Sequence, residues 1–129
     1  MSLSDNVDMG ELMIKRAEIA EKIMESIALE KDLGMKLCFA ESDYKKAQAQ
    51  KIAELNLKGY ESEFGITKPV AITACETLSH GIEPVSTLRF ERDALRVCVR
   101  AQESYTWTLK KRQDQLDRDI ESIRRSTGI

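Results

Sequence analysis

Two long stretches of this chain carry almost nothing that can turn a backbone. From Ser4 to Ser62 there is no proline, and glycine occurs only at Gly10, Gly34 and Gly59. Between Pro84 and Gly128 neither residue occurs at all. Strands need turns every few residues, so these stretches exclude sandwiches and barrels and leave long helices. The apolar pattern agrees. In the first stretch apolar residues recur at Leu12, Ile19, Ile23, Ile27, Leu33, Leu37, Ala40, Tyr44, Ala47 and Leu55. In the second the stripe runs Leu88, Leu95, Cys98, Val99, Gln102, Tyr105, Leu109, Leu116, Ile120 and Ile123. Steps of three, four and seven put each set along one side of a helix.

These signals predict an all-α chain of 129 residues in one helical domain. A long helix covers about 5–62, a connector with a short helix covers about 67–80, and a second long helix covers about 84–126. Ser4 or Asp5 is positioned to cap the first helix, with Asp5, Asp8 and Glu11 near its positive end. Gly59 and Gly65 mark its end. Thr67 and Pro69 open the short element, which reads as a helix because a lone strand has no partner. Gly81 closes that helix, Pro84 starts the next, and Arg124 and Arg125 suit its final turn. Two amphipathic helices joined by a compact connector form a long antiparallel, coiled-coil-like hairpin with the short helix at its tip. Gly81 is expected at positive φ or against another backbone, so that Gly81→Val destabilises.

Composition narrows the function. Charged residues make up 33% and the formal net charge is −2, so nothing pulls the whole chain toward a polyanion. The apolar run Leu12-Met13-Ile14 falls far short of the roughly 20 residues of a membrane span. Met1 to Asp5 lacks the basic and apolar regions of a signal peptide, so the expectation is a cytoplasmic protein that uses no membrane. Three cysteines, Cys38, Cys75 and Cys98, form no C-x-x-C pair and read as small hydrophobes. With His80 the only histidine, a four-ligand zinc site would need it and all three cysteines brought together, and no Glu-x-x-His di-metal motif occurs. Asp114, Asp117, Asp119 and Glu121, interleaved with Arg118, Arg124 and Arg125, form a solvated ion-pair face. No phosphate loop, dinucleotide fingerprint or hydrolase elbow occurs. The expectation is therefore no catalytic residue, no metal and no cofactor. His80 is expected to be a surface histidine or to cap the short helix, and His80→Ala to be nearly silent. Polar residues interrupting the stripes, Arg16, Glu30, Gln102 and Arg112, either set register or snorkel to water.

Two surfaces are candidates for binding. Arg89, Arg92, Arg96 and Arg100 stand at steps of three and four along one helical face. They could meet an acidic partner or phosphates, or pair internally with Glu41, Asp43, Glu54, Glu61 or Glu63. The second surface follows from length. A helix of about 65 Å runs out before covering one of about 85 Å, leaving residues 8–27 bare. Met9, Leu12, Met13, Ile19, Ile23, Met24 and Ile27 would then form an oligomer interface, the chain pairing with itself as a dimer or tetramer.

Three segments carry a resemblance. Tyr44-x-x-Ala47-x-Ala49, then Ala101-Gln102-Glu103-Ser104-Tyr105, then Leu116-x-x-x-Ile120-Glu121-Ser122-x-x-Arg125 follow one another across residues 40–126. This arrangement resembles small helical proteins of tailed bacteriophages and prophages, often encoded near recombination and single-strand-binding functions. The resemblance implies a non-enzymatic interaction or assembly protein whose further partner is a phage or host protein. It also implies the alternative of a nucleic-acid accessory factor. It brings no catalytic motif and assigns no functional residue.

Overall fold

A computed structural model describes residues 3–61, 67–68 and 70–128. The elements in chain order are α1 (Leu3–Lys58), β1 (Tyr60–Glu61), β2 (Thr67–Lys68), α2 (Ile72–Ser79) and α3 (Val85–Thr127). The long helices α1 and α3 pack against each other as a hairpin. The chain divides into two compact units, Met1–Asp32 with Val99–Ile129, and Leu33–Cys98. No described helix is long and apolar enough to cross a membrane.

Each element ends for a local reason. Gly59 takes φ +76°, and its N–H reaches the Leu55 carbonyl at 2.9 Å. That is the left-handed glycine cap, in which the residue beyond the helix satisfies an orphan carbonyl. β1 and β2 then pair antiparallel, Tyr60 with Lys68 and Glu61 with Thr67. Thr67 thus lies in a ladder and does not cap α2. The residue preceding α2 is Ala71, at φ −63° and ψ 145°, with no side-chain cap. Gly65 and Pro69, read from sequence as a helix stop and a helix start, lie outside the described residues. At the start of α3, Ser86 and Thr87 donate hydroxyl hydrogen bonds to the Glu83 carboxylate. Those two bonds hold the Glu83 carboxyl below its usual value. The helix begins at Val85, one residue past Pro84.

Gly81 departs from expectation. It has no positive φ, and a Cβ there would meet only the Leu78 carbonyl, at an ordinary 3.9 Å. Hydrogen bonds from Gly81 N–H to Leu78 and from Ile82 N–H to Ser79 make the turn without any left-handed residue. Gly59→Ala should therefore cost about 1 kcal/mol, the penalty for an L-residue in the left-handed region. Gly81→Ala should be neutral or slightly stabilising, because it restricts the unfolded chain. Urea titrations of both variants give the comparison, and equal losses would show that the two turns are misassigned.

The core is built separately in each unit. In the first, Ile23, Leu109 and Ile120 are buried with Ser26 and Thr106. In the second, Tyr44, Leu55, Cys75, Ser79 and Val85 are buried. Every α1 stripe position from Leu12 to Leu55 is at least half-buried, as the spacing requires. The α3 stripe holds except at Cys98 and Tyr105, which are exposed; Thr106 takes the inward place beside Tyr105.

Residues 8–27 are not left bare. Arg16 pairs with Asp117, Ser26 meets Thr106, and Leu12 and Ile123 line one groove, so α3 lies along this part of α1. The cause lies in the connector. In the second unit His80 reaches back to Tyr44 and Gln48, well before the end of α1 at Lys58. The connector thus takes up the last turns of α1, and α3 begins further along than a tip-to-tip hairpin would allow.

Candidate functional site

The densest polar constellation lies in the second unit and centres on Tyr44. Helical spacing turns Tyr44 inward, and it is only 6% exposed. α2 ends at His80, whose Nε2 stands 3.1 Å from the Tyr44 hydroxyl and 3.2 Å from the Gln48 amide nitrogen. With its proton on Nδ1, the imidazole accepts at Nε2 from both donors. The two rings are tilted by 34° with centroids 6.5 Å apart. From α3, the Arg92 guanidinium lies over the Tyr44 ring, 4.2 Å from its centroid. A cation held over an aromatic face is attracted by the negative face of the ring. Asp93 fixes that guanidinium, accepting from Nε at 3.1 Å and Nη2 at 2.9 Å. Arg96 continues the network, donating to Glu41 at 3.1 Å and lying 3.8 Å from Asp93.

Chemically this is a clamp. One face of Tyr44 carries a cation and its hydroxyl is held by an imidazole, so α1, the connector and α3 converge on a single phenol. Cys75 is fully buried, and its thiol lies 3.8 Å from the Val70 carbonyl. Cys38 and Cys98 are exposed. Among the described residues no three Asp, Glu, His or Cys side chains stand close enough to share a metal ion.

A second polar group lies inside the first unit. The Gln102 side-chain amide donates to Ser26 Oγ at 2.6 Å, and Thr106 Oγ1 donates to the Gln102 carbonyl at 3.0 Å. The Thr106 proton being thus engaged, Ser26 is left to donate to Thr106 Oγ1. The three residues close a ring in which every hydroxyl both gives and accepts. Such a satisfied polar layer fixes which turn of α1 meets which turn of α3. Gln102 is the register-setting residue that the sequence offered as one reading; its partner Ser26 was not singled out, because a serine leaves no mark in an apolar pattern.

The arginine stripe divides by role. Arg92 and Arg96 are engaged within the second unit, Arg96 with the Glu41 named from sequence. Arg89 and Arg100 are exposed and make no ion pair among the described residues. The apolar interface set divides too. Leu12 and Ile19 line grooves beside α3 with Ile123 and Leu116, and Ile23 is 8% exposed. Met9 and Ile27 are half-buried. Met13 and Met24 face outward, Met24 at 73% exposure. Ile23 and Met24 adjoin in sequence but lie about 100° apart around the helix, so the seven residues do not share one surface.

No protein-family model, no curated protein and no solved structure matches this chain.

Proposed function

We propose that this chain is a non-enzymatic helical interaction and assembly protein, of phage or prophage origin and cytoplasmic, that works as a homo-dimer or homo-tetramer. The observation that carries the reading is the distribution of large apolar side chains. Among the described residues eleven are exposed, against seven hydrophobic residues in the core. Single exposed apolar residues are ordinary, so the weight falls on those that share one helix face, where another helix would cover them. The polar clusters already described support it, since both fix geometry between helices and leave their groups satisfied. Association would proceed by helix packing, with apolar anchors at the centre and charges at the rim choosing orientation.

Light scattering and sedimentation of the full chain test this reading. The expected result is a dimer or tetramer at about 100 µM, dissociating on dilution as a modest helical interface does. A chain that is monomeric at that concentration removes the assembly reading.

One observation favours the nucleic-acid alternative. Trp107 is 63% exposed on α3, with the Lys111 ammonium 5.1 Å from its ring and Arg100 and Glu103 lining the same shallow pocket. An exposed indole flanked by cations is what stacks bases and tracks phosphates in single-strand binding. Quenching of Trp107 fluorescence by single-stranded DNA, weakened steeply by salt, is its signature. No quenching at low salt excludes it.

A further inference from the structure

The first unit carries a second seam on α1, on the side turned away from α3. Ile14, Ala17, Glu21, Met24, Ala28 and Lys31 follow one another at steps of three, four, three, four and three, and all six are exposed. That alternation is the heptad spacing with which one helix packs lengthwise against another. The inward seam, at Leu12, Ile19, Ile23 and Ser26, is offset from it by half a turn and already meets α3. The outward one has no cover in the structure. Its members are apolar except for two charges, and those charges are informative. Neither Glu21 nor Lys31 makes an ion pair among the described residues.

We infer that a second copy of this chain docks on this outward seam of α1, antiparallel, about a two-fold axis level with residue 26. Charge complementarity selects the occupant and its direction. Antiparallel helices pack in layers that join the first and second seam positions of the two heptads. Setting Met24 opposite Ala28 of the second copy puts a large side chain on a small one. The same register sets Glu21 opposite Lys31, and the two-fold symmetry makes each pairing twice. A parallel, in-register pair would instead face Glu21 with Glu21 and Lys31 with Lys31, which repels. Sliding the antiparallel pair by one heptad brings Glu21 against Met24 and Lys31 against Ile14, leaving both charges beside apolar side chains. Only one register satisfies both. At its two polar positions the seam is self-complementary, so the Glu21–Lys31 layers fix direction and alignment against the uniformly acidic flank of Glu18, Glu25 and Asp32.

This inference rests on the assembly reading, and charge reversal separates the two. Association of the full chain is measured by sedimentation for Glu21→Lys, Lys31→Glu and the double variant. Each single variant should weaken self-association by about tenfold or more, the scale of a like-charge contact at an interface. The double variant should restore it, since every reversed residue again meets its opposite. Circular dichroism should show unchanged helicity throughout, because both side chains are exposed and unpaired in the single chain. If the protein associates but is indifferent to the single reversals, or if the double variant fails to recover, the seam is overturned while the assembly reading stands. A wild-type chain that stays monomeric leaves the seam to a different protein and overturns both.

Discussion

Tyr44→Ala is expected to lower the unfolding free energy by about 3–5 kcal/mol, the range for truncating a buried aromatic side chain. Tyr44 is 6% exposed, and three elements lean on it. Removing the ring leaves a cavity between α1 and the connector, takes away the face over which Arg92 sits, and strands the His80 nitrogen. The contributions separate by substitution. Tyr44→Phe keeps the ring and the cation contact and loses only the hydroxyl, so it should cost about 1–2 kcal/mol. His80→Ala removes the other half of the same hydrogen bond and should cost a similar amount, where the sequence alone suggested silence. Urea unfolding followed by circular dichroism measures all three. The clamp is refuted if Tyr44→Phe matches wild type and His80→Ala costs as little as an ordinary surface change, about 0.5 kcal/mol.

The contrast at His80 shows where sequence reading stops. Its neighbours in the chain, Ser79 and Gly81, announce a helix end, and the histidine does sit at that end. Its functional neighbours, Tyr44 and Gln48, lie more than thirty residues away and are brought to it by the way the connector folds back. No periodicity encodes that return. The same unforeseen return shifts the start of α3, and so the expectation of a bare segment at residues 8–27 fails although both helix lengths were nearly right.

The helices themselves were legible because their signals are local and repeated. Proline-free stretches, three-and-four spacing and Gly59 at a left-handed cap each act within one or two turns. What local signals leave open is angle. Reading Ile19, Ile23, Met24 and Ile27 as one contact surface counted apolar density along the chain, whereas the fold sorts them around the helix, with Ile23 inward and Met24 outward. Sorting by angle from the start separates two seams on α1, one meeting α3 and one facing out. The arginine stripe was legible only in part. Internal pairing, one of the readings its spacing left open, holds for Arg96 with Glu41, whereas the contacts of Arg92 with Tyr44 and Asp93 are ones that spacing does not reveal.

Leu109→Ala should be the other severe substitution, with a loss of about 2–5 kcal/mol. Leu109 is 2% exposed, the largest side chain buried so completely among the described residues. Its neighbour by one turn is Thr106, whose hydroxyl belongs to the Ser26–Gln102 ring. That ring resists collapse around a cavity, since shifting α3 toward α1 would compress cross-helix bonds that are already short. A site that cannot relax keeps its cavity, and the cost rises with the volume left empty. Leu109→Met, which nearly conserves volume, should lose less than about 1.5 kcal/mol. Trp107 reports on the same helix by fluorescence and is itself exposed, so Trp107→Ala should leave the stability of an unassociated chain within about 0.5 kcal/mol. A Leu109→Ala variant as stable as Leu109→Met would mean that the first unit repacks freely, and the polar ring would then have no hold on the register of the two helices.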